Sequence, residues 1–140
     1  LTQPLTKALH DIVHYLNFHD FQQASHRNAQ IHPLYVTANK VKASYFNYRL
    51  TSRFQPIHNI RNGRIEAHEA LIVVKPFHGD ARDLSPLSIF KMPFDQAGIT
   101  YIDRLARTVN TLNFLAQDGQ NQLHLNVHPL HLSAVTSDHG

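Results

Sequence analysis

The chain has 140 residues, 42% of them apolar and 16% charged, which is enough for one globular domain with a real core and excludes disorder throughout. It contains no Cys, which excludes a disulfide scaffold and thiolate metal sites and fits a reducing compartment. A net charge of +3 without any block of like charges argues against a nucleic-acid polymer as partner, and no apolar run reaches the roughly 18 residues that span a bilayer. No signal-peptide pattern opens the sequence, so the expectation is a soluble cytoplasmic protein with no membrane segment in these residues. Twelve His are many for this length, and because histidine is the side chain whose unperturbed charge change falls near neutrality, a net charge sensitive to mild acid is expected.

From Leu5 to Phe21 the residues Leu5, Leu9, Ile12, Val13 and Leu16 recur at three and four, which predicts an amphipathic helix opening near Thr2 or Thr6. His10 and His14 stand four apart on it, close enough to share a metal, but no third ligand follows at a recognisable spacing and they read as solvated flanks of the stripe. Gln22 to Gln30 is polar and reads as a helix end or loop. Ile31 to Val36 reads as extended, and Thr37 to Thr51 as a second short helix. Residues 1–44 are thus expected to be a helical N-terminal segment or linker.

Phe54 to Ile60 then reads as a strand, Asn62-Gly63 as a hairpin signal, and Ile65 to Lys75 as the returning strand. Parity puts Ile65, Ala67, Glu69, Leu71 and Val73 on one face of it and Glu66, His68, Ala70, Ile72 and Val74 on the other. Glu69 is a carboxylate in a largely apolar strand, a costly placement unless it is paired, hydrogen-bonded or metal-bound.

Pro76 to Ser88 is a loop by composition, followed by a short helix over Ser88 to Ala97 interrupted at Pro93. Thr100 to Ala116 is the clearest helix, with Thr100 as cap, Asp103 complementing the dipole, and Ile102, Leu105, Ala106, Val109, Leu112 and Leu115 as its stripe. Asp118-Gly119 ends it, Gln122 to Val127 forms a strand that Pro129 stops, and Leu130 to Val135 starts another helix. His124, His128 and His131 form a weak metal signal beside true zinc motifs, and a loop role suits them better.

Phe54-Gln55-Pro56-Ile57, Gly63-Arg64-Ile65 and Glu69-Ala70-Leu71 together resemble the opening of the EAL domain, the bacterial cyclic di-GMP phosphodiesterase family. Tyr101-Ile102-Asp103-Arg104-Leu105 is similar to the helix after the family's first long loop, and Leu125-Asn126-Val127-His128-Pro129 to the strand end that carries a metal-binding Asn. The resemblance runs over residues 45–140. It implies an α/β fold: the first half of a (β/α) TIM-like barrel of the EAL type, preceded by the α-helical N-terminal segment. A complete barrel needs roughly 200 to 250 residues. The expectation is therefore a truncated N-terminal portion, completed by a missing C-terminal half or by a homo-oligomer.

In the family two divalent ions, held by carboxylates and an Asn, activate water and neutralise phosphate charge. The resemblance assigns Glu69 and Asn126 as metal ligands for Mg²⁺ or Mn²⁺ and Gln55 as the nucleotide-binding residue, with cyclic di-GMP as partner. Three departures count against hydrolysis to linear pGpG: Val73 stands where the signature has an Arg, His128 replaces a common Ser, and the later catalytic residues of the family have no match in the sequence. The expected function is that of a degenerate EAL-domain protein of cyclic di-GMP signal transduction, inactive as this chain. The alternative is a non-catalytic protein-interaction or self-association module, with a His-based metal protein third.

Overall fold

Alternation with a period of two decides the architecture from Leu34 onward. The computed structural model describes residues 3–21, 32–78, 82–93, 95–117 and 121–129. The elements run α1 (Gln3–His19), β1 (Leu34–Thr37), β2 (Lys40–Tyr45), β3 (Tyr48–His58), β4 (Ile65–Pro76), α2 (Pro86–Phe90), α3 (Gln96–Ala116) and β5 (Gln122–His124). The strands form one sheet in the order β1-β2-β3-β4-β5. The pairs from β1 to β4 are antiparallel and β4 pairs with β5 in parallel.

Leu34, Val41, Ala43, Tyr45, Leu50, Ala70 and Val74 are the buried side chains of the covered face. Against them lie α1 and α3, through Leu9 and Val13 of the first and Ile102, Leu105, Val109 and Leu112 of the second. Ile102, Leu105 and Val109 are each fully excluded from solvent, and each contributes about 1.5–3 kcal/mol by burial. The opposite face is open except at Ala67, which is buried: none of Lys42, Ser44, Thr51, Arg53, Gln55, Leu71 or Val73 is.

Both helices also grip the sheet through an asparagine that imitates a peptide group. Asn17 donates through Nδ2 to the Leu34 carbonyl at 2.8 Å and accepts from the Leu34 N–H at 3.0 Å. Asn113 accepts from the Val41 N–H at 2.7 Å and donates to the Val41 carbonyl at 2.8 Å and to Ser52 Oγ at 3.0 Å. The β2–β3 ladder ends at Ala43 and Leu50, and Asn113 satisfies the backbone just beyond that point.

The expected first half of a (β/α) barrel does not form. A barrel of that kind repeats parallel strands through helical crossovers, whereas here tight turns join β1 to β2 and β2 to β3 and a short loop joins β3 to β4, which makes a meander. Among the described residues a single crossover, through α2 and α3, separates a parallel pair. The helix expected over Thr37 to Thr51 is replaced by most of two hairpins. Their turns hold Ala38 at φ 51°, Asn39 at φ 59° and Phe46 at φ 51°, so residues without the usual glycine signal take left-handed backbone. For Phe46 this conformation costs about 1–2 kcal/mol. Its ring packs edge-on to Tyr45 at 4.7 Å between centroids.

Other expectations are met or shifted by a turn. The amphipathic helix over Leu5 to Phe21 is α1, the extended stretch expected to end at Val36 overlaps β1 over residues 34–36, with Ile31 outside the described residues, and the two hairpin strands are β3 and β4. The β3–β4 turn runs from Asn59 to Arg64, with Gly63 at φ 70° donating to the Asn59 carbonyl at 2.8 Å. Its polar backbone is satisfied locally, by Asn59 Oδ1 on the Arg61 N–H at 2.8 Å and Asn62 Oδ1 on the Arg64 N–H at 2.9 Å. The long helix starts earlier than Thr100: Asp95 is the N-cap and accepts from the Gly98 N–H at 2.8 Å. Thr100 instead donates back to the Gln96 carbonyl at 2.9 Å. Glycine is required at 98, because a Cβ there would stand 2.7 Å from Pro93 Cβ. Strand β5 stops at His124, short of the expected Val127. Asp118-Gly119 and the helix expected over Leu130 to Val135 lie outside the described residues.

Candidate functional site

Strand parity and one turn bring the first pair of candidates together. Gln55 on β3 stands directly opposite Glu69 on β4, and His124 on β5 stands directly opposite Glu69 from the other side. All lie on the open face of the sheet. Asn126, just past β5, donates through Nδ2 to Glu69 Oε1 at 3.2 Å. The three residues assigned from separate stretches therefore meet at one place, with Glu69 half-buried between Gln55 and Asn126.

Asn126 is held there by an anchor two residues on. Asp103 of α3 is 2% exposed; its Oδ1 accepts from the His128 N–H at 2.9 Å and its Oδ2 from Arg107 Nε at 3.0 Å. The His128 ring stacks on Phe90 of α2 with centroids 5.4 Å apart. The segment after β5 is thus tied to both helices. Sequence reasoning gave Asp103 to the helix dipole, and it serves as this clamp instead. The available signal was its place beside Ile102 in the apolar stripe, where a carboxylate is buried and must find donors.

No cation neutralises Glu69 among the described residues. Arg104 lies over the Phe21 ring, 5.7 Å from its centroid, and Arg64 stands at the end of the hairpin turn. Val73, which stands where the EAL signature has an Arg, faces Thr51 across the ladder. Lys75 lies opposite Arg49 and sits 3.6 Å from Asp83.

As donors, Glu69 and the Asn126 amide oxygen are hard ligands that suit Mg²⁺ or Mn²⁺, since an amide turns over by a half-rotation about its last bond. One carboxylate and one amide fit a single, largely hydrated ion of the kind that completes its shell with substrate phosphate. They do not fit a two-ion centre, and no three His, Asp or Glu gather for a metal among the described residues. The histidines do not converge either: His124 faces Glu69, His128 packs on Phe90, and His131 lies outside the described residues. His10 and His14 are exposed on α1, the latter 4.6 Å from the Phe18 ring.

A separate cleft of ≈ 470 Å³ opens between the end of α1 and α3, lined by Leu16, Asp20, Arg104, Arg107 and Leu112 among others. Gln55, Glu69 and Asn126 do not line it. Among the described residues no helix is long and apolar enough to cross a membrane. No family model matches the chain, and neither does any curated protein or solved structure.

Proposed function

We propose that this chain is an EAL-type protein of bacterial cyclic di-GMP signalling, working in the cytoplasm, that binds the nucleotide without hydrolysing it. The observation that carries this reading is the meeting of Gln55, Glu69 and Asn126 on one open sheet face. Gln55 offers both donors and an acceptor to a base edge or phosphate. Glu69 and Asn126 offer oxygen ligands for one Mg²⁺ or Mn²⁺, which when bound supplies positive charge to a phosphodiester oxygen. Hydrolysis by two ions asks for more carboxylates than this site assembles, so binding is the activity that its donor set supports.

Calorimetry with cyclic di-GMP, with and without Mg²⁺, tests this. The expected result is Mg²⁺-dependent binding, weakened about tenfold or more in Glu69→Gln, with the nucleotide recovered intact; a tenfold loss corresponds to about 1.4 kcal/mol. Binding of equal strength in Glu69→Gln and Gln55→Ala would sink the reading.

A second reading, self-association, has its own observation. Leu5, Ile12 and Tyr15 are 38%, 45% and 58% exposed and run along α1 at heptad spacing, bordering the stripe that buries Leu9 and Val13. Two copies pairing through α1 would cover that stripe. Light scattering is then expected to give a dimer mass that falls to the monomer in Ile12→Lys; a monomer in the unchanged protein contradicts it.

A further inference from the structure

Cations that are scattered in the sequence are gathered by the meander. Lys40 and Lys42 alternate with Val41 on β2, Arg49 and Arg53 fall at like parity on β3, and Arg49 stands directly opposite Lys75 on β4. All of these project from the open face. Arg53 and Lys75 share Asp83, each at 3.6 Å. Lys40, Lys42 and Arg49 have no acidic partner among the described residues. Burial lowers the pKa of Lys42 below its ordinary value, and repulsion from Arg49, Lys40 and Lys75 lowers it further. An anion placed among these groups would relieve that repulsion. Beside them Phe77 is 42% exposed, with the Arg49 guanidinium 6.0 Å from its ring centroid.

We propose that this corner of the open face binds single-stranded nucleic acid, its phosphates on Lys42, Arg49 and Lys75 and a base stacked on Phe77. Positive charge along a shallow surface with an aromatic platform at its edge is the recurring design for such a ligand. A duplex is a poorer match, because its bases are read by a helix or two-stranded ribbon that enters a groove, and this surface is a broad sheet. A second copy docked face to face would set these cations against their own images. From β2 to β4 is about 10 Å and from Arg49 to Arg53 about 13 Å, room for a short run of nucleotides. Lys75 stands about 20 Å along β4 from Glu69. The corner is thus separate from the Gln55, Glu69 and Asn126 group, and its ligand does not depend on the reading of that site.

Fluorescence anisotropy with an end-labelled ten-residue oligothymidylate, titrated at several salt concentrations, tests the proposal. Binding is expected with a slope of log K against log salt near −2, as about three phosphate contacts on a single strand require. The double variant Lys42→Glu with Arg49→Glu is expected to weaken binding at least tenfold and to flatten the slope. Phe77→Ala, at an exposed position that leaves the core untouched, is expected to cost about tenfold at unchanged slope. Glu69→Gln is expected to bind the oligonucleotide as the unchanged protein does. The proposal is overturned if no salt-dependent binding is seen or if the charge-reversed and Phe77→Ala proteins, folded by circular dichroism, bind as tightly as the original. Sedimentation with phosphatidylserine vesicles but no binding of the oligonucleotide would overturn it in favour of a lipid surface.

Discussion

Replacing Asn113 by leucine is expected to cost about 3–5 kcal/mol of folding stability, which approaches the whole stability of many domains. The side chain is 2% exposed, and its amide closes a ring with both peptide groups of Val41, itself fully buried. Leucine fills a similar volume but leaves the Val41 N–H and carbonyl without partners, and removes the donor to Ser52 Oγ. Each orphaned buried group costs about 1–3 kcal/mol, because water cannot replace the lost bond. The matching change at Asn17 orphans the peptide groups of Leu34 and is expected to act in the same direction. Urea unfolding of the three proteins measures this. A loss below about 1 kcal/mol at position 113 would mean that α3 is held by its apolar stripe alone.

The second large effect is alkaline. Burial pushes the Tyr101 hydroxyl up to about 12 from an ordinary value of 10.0, and Tyr45 beside it adds to the shift. Tyr45 is itself raised by burial and by Asp95. A group whose pKa is higher folded than unfolded gives stability that is complete below the unfolded value and disappears as pH rises through the folded one. For Tyr101 the window is pH 10 to about 12, and the loss across it is about 2–3 kcal/mol. The Tyr101 hydroxyl also has no hydrogen-bond partner among the described residues. Tyr101→Phe is therefore expected to be neutral or stabilising at pH 7 and to lose less stability than the original between pH 10 and 12. Unfolding midpoints at pH 8, 10 and 11.5 for both proteins decide it, and equal alkaline losses would contradict the assignment to Tyr101.

What was legible in the sequence followed from periodicity where one face of an element is buried. The α3 stripe through Ile102, Leu105, Val109 and Leu112 is the core contact, but Leu115 is 61% exposed while Phe114 is buried, because the last turn rotates the stripe away from the sheet. Gly63 announced its turn; Ala38, Asn39 and Phe46 did not, since tertiary pairing imposes left-handed backbone on residues that do not favour it alone. That gap in turn chemistry converted a meander into an expected helix, whereas the barrel was expected from the resemblance to the EAL domain.

The site was legible to the extent that parity determines it. Gln55 and Glu69 share a face because the hairpin register is set by its turn, whereas Asn126 reaches them through a crossover whose anchor, Asp103, carries no local signature of that role. The basic corner was invisible for a related reason. A search for runs of like charge passes over Lys42, Arg49 and Lys75, which come together only when three strands are laid side by side.

The most direct test of the central claim is an amide chemical-shift titration of the ¹⁵N-labelled protein with cyclic di-GMP and Mg²⁺. The account predicts shifts concentrated at Gln55, Glu69, His124 and Asn126, on the open face at the β5 end of the sheet. A spectrum that stays unchanged, or shifts confined to the cleft between α1 and α3 around Arg104 and Leu112, would contradict it.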